Sequence, residues 1–375
     1  MRIVFTGGGT GGHFYPMLAV ALAVRQRAAD MRLVELDMFY FGSDPYRPDL
    51  VDATGLKFRR VFAGKRRSYI SIQNFIDPFK TALGVVTALW YMLSIVPDVV
   101  FAKGGFDSFP TLMAARLFRI PVIIHESDAV PGAVNRWAGR WADRIAVGFV
   151  EAAQYFPEDR VAHTGIPLRA ETLQEDREAA RQYFGVLSDR PVLFITGGSQ
   201  GAKIINDAVV EILDQLLGRF EVIHQVGTAN VEEMRYVTAP ILREKGEAFY
   251  HMAGSLEANQ MSGAYALADI VVARAGGTTI AEIAAWGKPA ILIPLAIAAQ
   301  QHQKKNAYIY ATAGAGIFID EENLTPTVLW HELKRFMDEP DRMRAMAEAA
   351  KKFARRDAAA VIAEEVLRLG SHEHS

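Results

Sequence analysis

The densest chemical signal in the chain is Thr6-Gly7-Gly8-Gly9-Thr10-Gly11-Gly12-His13. Glycine fills five of the six positions from Gly7 to Gly12, so no Cβ stands where a strand must turn into a helix, and a large group can lie against the backbone. The helix start beyond the turn presents unsatisfied N–H groups, with Thr10, Gly11 and Gly12 placed to meet an anionic or polar ligand. His13 falls at this loop–helix junction, where the helix field disfavours imidazolium and keeps a neutral imidazole ready to accept a proton. The alternative is a histidine that only structures the loop. Gly7–Gly12 also satisfies GxGxxG, and Asp30 and Glu35 supply acids about 20 positions further on, which leaves a nicotinamide-dinucleotide reading open. No Lys-Ser or Lys-Thr follows, which excludes a P-loop.

Gly197-Gly198-Ser199-Gln200-Gly201-Ala202 mirrors this feature in the second half. Its small residues and helix start suit a diphosphate, with Ser199, Gln200 and Gly201 around it, although the same pattern serves an ordinary turn. Downstream, Arg274-Ala275-Gly276-Gly277-Thr278-Thr279-Ile280-Ala281-Glu282 opens another strand-to-helix turn. Glu282 would lie one turn inside that helix and can accept bonds from both hydroxyls of a ribose. Two such helix starts can neutralise much of a diphosphate without a metal, and no Asp-x-Asp occurs to grip a magnesium–nucleotide complex. His302 has no second histidine, cysteine or carboxylate within several positions, so no metal site and no cofactor are expected. His302, Gln303 and Asn306 read as polar groups at the rim of this second site, or as ordinary loop and helix-surface residues.

The elements that must position these groups alternate between short β-rich runs and helical stretches, the pattern of a parallel sheet covered by helices. Strands are expected at Arg2–Thr6, Val99–Ala102, Pro121–His125 and Arg144–Val147, with helices at about Pro16–Ala28 and Phe109–Leu117. After a helical stretch at about Leu173–Phe184 the pattern restarts, with strands at Pro191–Thr196, Glu221–Gln225, Ile270–Ala273 and Ala290–Pro294 and helices at Ala202–Leu217 and Ala281–Trp286. The boundary falls near His163–Arg169, giving domains 1–163 and 164–342, a terminal helix 343–369 able to pack back on either domain, and a flexible tail 370–375. The active site is expected in the cleft between the two domains.

Composition agrees with this division. The chain has 375 residues, half of them of hydrophobic types, enough for two domains and far from a disordered composition. A net charge of −2 implies no global attraction to nucleic acid, and none is expected as a partner. The absence of cysteine excludes disulfides and thiolate chemistry. The amino terminus runs into glycines without a charged n-region and long apolar core, so no secretory signal is expected. Lys65-Arg66-Arg67-Ser68-Tyr69-Ile70, then Phe75 and Phe79, combine cationic heads with large apolar groups, as an anionic lipid surface requires, though a solvated loop beside a core helix has the same composition. The uncharged run that follows, Thr81–Pro97, is too short and proline-ended to be expected as a membrane span.

In this order the motifs resemble the MurG-type glycosyltransferases of peptidoglycan synthesis. The matching pieces are Gly7–His13 with Pro16, Lys103–Gly105 with Phe109-Pro110, His125–Ser127 with Pro131-Gly132 and Asn135, Gly165–Arg169, Gly197–Ala202, Arg274–Glu282, and Gln303 with Asn306-Ala307. The resemblance implies a GT-B-type architecture, two Rossmann-like α/β domains facing across a cleft. It implies inverting transfer of N-acetylglucosamine from UDP-GlcNAc to the C4 hydroxyl of undecaprenyl-diphosphate-linked N-acetylmuramyl-pentapeptide (lipid I), giving lipid II, at the cytoplasmic face of the membrane by a peripheral enzyme. The amino-terminal domain would bind the acceptor and the carboxy-terminal domain the donor. Carried over, Ser199 and its neighbouring amides would contact the diphosphate, Glu282 the ribose, Arg169 the nucleotide diphosphate, Gln303 the sugar, and His13 the reaction centre; Glu126, Asn135, Arg274, Gly277, Thr278 and Thr279 complete the substrate-binding set. Where the family commonly has Gln-Asn after His-Glu, this chain has Ser127-Asp128, so Asp128 competes with His13 for the role of base. Ile166, Ala275 and Gln300 replace the family's usual asparagine, serine and acidic residue.

Overall fold

The structure, a computed structural model, describes residues 1–64, 73–198, 200–245, 247–296 and 301–371. Lys65–Ile70, Ser199, Gln300 and the tail from His372 lie outside the described residues, as does the side chain of Phe75. The chain divides into two compact units, Met1–Arg169 joined by the chain from Arg355 onward, and Ala170–Ala354.

In the first unit, strands β1 (Arg2–Thr6), β2 (Asp37–Gly42), β3 (Lys57–Arg60), β4 (Val99–Ala102), β5 (Val122–Glu126), β6 (Arg144–Val147) and β7 (Val161–His163) alternate with helices α1 (Gly11–Asp30), α2 (Pro48–Ala53), α3 (Gln73–Ile95), α4 (Phe109–Phe118) and α5 (Ala133–Ala138). Among the described residues the strands pair in parallel, in the order β3-β2-β1-β4-β5-β6-β7. Val99–Ala102 is buried throughout and Arg2–Thr6 apart from its first residue, as a parallel sheet covered on both faces demands. The run KFRR, an edge strand with no fully buried residue, has none of the apolar signal that marks the central strands.

The second unit repeats the design. Helix α6 (Arg177–Phe184) precedes strands β8 (Val192–Thr196), β9 (Glu221–Gln225), β10 (Tyr250–Ala253), β11 (Ile270–Ala273), β12 (Ala290–Leu292) and β13 (Gly316–Phe318). Between and after them lie helices α7 (Lys203–Glu211), α8 (Leu213–Leu217), α9 (Val231–Lys245), α10 (Ala258–Leu267), α11 (Gly277–Trp286), α12 (His302–Thr312), α13 (Pro326–Asp338) and α14 (Pro340–Phe353). The sheet order is β10-β9-β8-β11-β12-β13, again parallel. In both sheets the strand order reverses at one place, between β1 and β4 and between β8 and β11. Such switch points open a crevice at the carboxyl ends of the strands. All the glycine-rich runs singled out above follow one of these four strands.

Several elements differ from expectation: α6 begins at Arg177 rather than Leu173, α11 at Gly277 rather than Ala281, and three more differ further. The helix after the first glycine run begins at Gly11 rather than Pro16, because Thr10, extended at φ −148° and ψ 159°, takes the N-cap position. The helix expected over Ala202–Leu217 breaks at Ile212 into α7 and α8. The single terminal helix expected from about Met343 is two: α14 ends at Phe353, the chain extends at Ala354, and α15 (Ala358–Gly370) packs along α1. Ile362, Ala363, Val366, Leu367 and Leu369 of α15 thereby join Ile3, Phe5, Val20, Val24 and Val99 in one core.

Candidate active site

At the first switch point the loops after β1 and β4 touch. A Cβ on Gly7, whose φ is +102°, would stand 2.7 Å from the Gly104 carbonyl oxygen, so only glycine permits this approach. Thr10 caps α1 and its Oγ1 lies 3.0 Å from His13 Nδ1, which fixes the imidazole within the first turn. Nε2 of the same ring is 3.4 Å from where a Gly105 side chain would begin, so the imidazole lies over the bare backbone of the β4 loop. A Cβ on Gly12 would meet nothing within 4 Å, which leaves open space above the first turn. Asp30 closes α1 and Glu35 precedes β2. Neither therefore ends the second strand as a dinucleotide ribose acid must, and the nicotinamide reading falls.

The β5 end carries His125, Glu126 and Asp128. His125 is buried with Nε2 2.9 Å from the Gly165 carbonyl oxygen, and burial holds its pKa well below the usual 6.5. It is therefore a neutral donor to that carbonyl, not a proton shuttle. Glu126 is also buried: one oxygen accepts from the Asp128 amide at 3.0 Å, the other from the Gly132 amide at 3.1 Å and Asn135 Nδ2 at 2.9 Å. Asn135 Nδ2 donates in addition to the His125 carbonyl at 3.0 Å. Glu126 and Asn135 thus build the 126–135 loop from inside, while Asp128 keeps partial exposure. Ile166 is buried against Gly148 and serves the core. The Arg169 guanidinium stacks over the Tyr15 ring at 4.4 Å, one turn along α1 from Thr10 and Gly11.

At the second switch point Gly198 (φ +80°) and Gly201 (φ +76°) turn the chain out of β8, and the Gly198 amide donates to Thr196 Oγ1 at 3.0 Å. A Cβ on Gly201 would stand 2.1 Å from the Val226 carbonyl oxygen. Neither α7 nor α11 has a side-chain cap at its amino terminus, where Ala202 and Gly276 stand. Gly277, Thr278 and Thr279 form the first turn of α11. Glu282 follows in the next turn and accepts from Tyr265 Oη at 3.1 Å. Asn306 is buried and donates to the Ala275 carbonyl at 3.2 Å, and Gln303 Oε1 accepts from the Leu295 amide at 3.0 Å. Arg274 donates to the Ile293 carbonyl at 3.2 Å and to Glu321 at 3.0 Å, and the other Glu321 oxygen takes the Ala296 amide at 2.6 Å. Arg274, Gln303 and Asn306 therefore hold the segments around the site, and His302 begins α12 beside them. Among the described residues no group of three or more His, Asp or Glu side chains gathers as metal ligands.

Sequence reasoning passed over Tyr265, Glu321 and the side chain of Lys103. Each reaches its partner across strands or helices far apart in sequence, so no local pattern marks it. Lys103 is buried at the end of β4, with Glu126 and Asp128 as its electrostatic partners.

Residues 3–147 match the glycosyltransferase family 28 N-terminal domain and residues 192–362 the glycosyltransferase family 28 C-terminal domain. A UDP-N-acetylglucosamine--N-acetylmuramyl-(pentapeptide) pyrophosphoryl-undecaprenol N-acetylglucosamine transferase from Treponema denticola is 35% identical, covering 96% of both chains. The enzyme of the same name from Lachnoclostridium phytofermentans is 36% identical over 90% of this chain and 91% of its own. The crystal structure of Acinetobacter baumannii MurG superposes with a TM-score of 0.74 at 26% identity, covering 98% of this chain and 99% of that one. A UDP-GlcNAc 2-epimerase from Neisseria meningitidis shares the fold alone, with a TM-score of 0.69 at 15% identity over 98% of this chain and all of that one. The resemblance read from the motifs is borne out along both units, and the chain belongs to glycosyltransferase family 28, among the MurG-type N-acetylglucosamine transferases.

Proposed function

We propose that this protein transfers N-acetylglucosamine from UDP-GlcNAc to lipid I, giving lipid II and UDP. The observation that carries the reading is similarity to transferases of that name along nearly the whole chain, through both glycine-lined switch points. The epimerase alternative has only the shared fold behind it.

The donor sits on the second unit. Its diphosphate meets the uncapped starts of α7 and α11, whose amides stabilise the negative charge that grows as UDP departs. Glu282, oriented by Tyr265, takes the ribose hydroxyls. The acceptor sits on the first unit over the open turn at Gly12. In the tautomer whose Nδ1–H donates to Thr10 Oγ1, the ring's basic lone pair is on Nε2, which takes the proton as the C4 oxygen attacks the sugar's anomeric carbon. The new C–O bond forms as the bond to the β-phosphate oxygen breaks, and the electron pair leaves with UDP. One displacement inverts the anomeric centre, so no covalent glycosyl-enzyme is needed.

The same unit docks on the cytoplasmic membrane surface, where an undecaprenyl acceptor resides. Ile76, Phe79, Leu83, Val86, Trp90 and Leu93 of α3 are exposed at alternating spacings of three and four, a single apolar stripe. Ile76–Ile95 has the length and hydropathy to cross a bilayer, but α3 is the β3-to-β4 crossover and packs against α4, so the stripe lies on the surface rather than through it. The deciding experiment is mass spectrometry of the product from UDP-GlcNAc and a lipid I analogue. A disaccharide-linked lipid supports the reading; conversion of UDP-GlcNAc without acceptor favours an epimerase.

A further inference from the structure

The carboxyl ends of the central strands β4 and β5 carry a charge cluster that the mechanism above does not use. Ala102 pairs with Ile124 in parallel register, so Lys103 follows beside His125, with Glu126 and Asp128 next along the chain. Lys103 is only 2% exposed. An ammonium that deep is tolerated where opposite charge stands close, and its electrostatic partners are Glu126 and Asp128. Burial pushes the Glu126 carboxyl above its ordinary range and Asp128 adds to this, while Lys103, the Asp128 amide and Asn135 oppose it. Burial likewise pushes the Lys103 ammonium down, against the pull of both carboxylates. His125, beside the cluster, feels both Lys103 and His13. One buried cation therefore stands against two carboxylates carried by a single turn of chain, and that turn's frame is the Glu126–Asn135 network.

We propose that Lys103 is a positioning residue for the acceptor: its ammonium is the counter-charge that lets the Glu126 and Asp128 carboxylates share one loop, and so holds residues 126–135 in the shape that receives the acceptor sugar. This rests on the acceptor being bound by the first unit. Removing the cation alone leaves two neighbouring carboxylates uncompensated, whereas removing one charge of each sign restores the balance.

The test uses the full chain with Lys103→Met, Asp128→Asn and the double variant. With saturating UDP-GlcNAc, Lys103→Met should raise KM for a lipid I analogue and lower kcat/KM about 10- to 100-fold, with calorimetric UDP affinity unchanged. Its acid limb in kcat/KM should move to higher pH, because Glu126 without Lys103 keeps its proton further up the scale. The double variant, having lost one charge of each sign, should regain most of the kcat/KM lost in Lys103→Met and bring the acid limb back towards that of the wild type. Wild-type kinetics and pH profile in Lys103→Met, or a double variant no better than it, would overturn the inference. Should Lys103→Met not fold, the double variant decides: folding with turnover supports the counter-charge role, and failure to fold removes it. A wild-type chain that forms no product would instead sink the transferase reading itself.

Discussion

Glu282→Gln probes the proposed ribose contact with the least structural disturbance, since the side chain is half-buried and changes by one heteroatom. Its Oε2 accepts from Tyr265 Oη at 3.1 Å, and that tyrosine is fully buried, so this bond fixes one carboxylate oxygen. The amide can still present its oxygen to Tyr265, but its NH2 then stands where the proposed ribose contact needs a charged acceptor, and at least one accepted hydroxyl bond is lost. Hydrogen bonds to charged groups contribute about 1.5–3 kcal/mol, so losing one weakens UDP roughly 10- to 150-fold. Isothermal titration of UDP against wild type and a variant with an unchanged melting curve measures this. 2′-Deoxy-UDP should bind wild type more weakly than UDP, and the variant should no longer distinguish the two ligands. Equal UDP affinity in the folded variant would remove Glu282 from the ribose and leave Tyr265 as a packing partner only.

His13→Ala should lower single-turnover rates about 10²- to 10⁴-fold with UDP affinity unchanged, while Asp128→Asn should retain most turnover; the reverse pattern across a pH series would transfer the base to Asp128. Phe79 and Trp90 are 77% and 69% exposed, so Phe79→Glu with Trp90→Glu should cut sedimentation with anionic liposomes and leave the melting temperature in place; equal sedimentation would reject the docking stripe. EDTA should spare most activity, and loss restored specifically by magnesium or manganese would refute binding of the diphosphate by helix starts alone. Burial pushes His224 from 6.5 to about 3, and it lies 2.9 Å from Tyr250 Oη and 3.1 Å from Asn206 Oδ1. The unfolded chain therefore binds the extra proton first, and this contribution, full above pH 6.5, is lost as pH falls towards 3. A His224→Gln variant should show a flatter fall in melting temperature over that window, and an identical slope would exclude the histidine as its source.

The glycine turns were legible because the chemistry that marks them is local: a strand, a run without Cβ atoms and a helix start lie within about a dozen residues. That is why the ends of β1, β4, β8 and β11 all stand out, and with them His13, Gly201 and Glu282. Roles set by register were not legible. Gln303 and Asn306 are marked in sequence as polar groups at the site's rim, but their bonds to backbone at Leu295 and Ala275 exist only once α12 lies against the β11 and β12 ends. Arg274 likewise meets Glu321 across 47 positions. The edge strand β3 carries lysine and arginines where a central strand carries valine, so its sequence reads as a solvated loop.

The packing of α15 on α1 sets an order of events during synthesis. Helix α1 is made long before α15, but the apolar groove it shares with β1 and β4 stays open until α15 follows. At 5–20 residues per second the wait between the two is roughly 15 to 65 s. The second unit, emerging whole between Ala170 and Ala354, can fold while the first is still open. The nascent first unit must therefore be sheltered by chaperones, or tolerate an unfilled groove, until α15 emerges. A stop codon just before α15 would leave the second unit intact while abandoning the first to proteolysis.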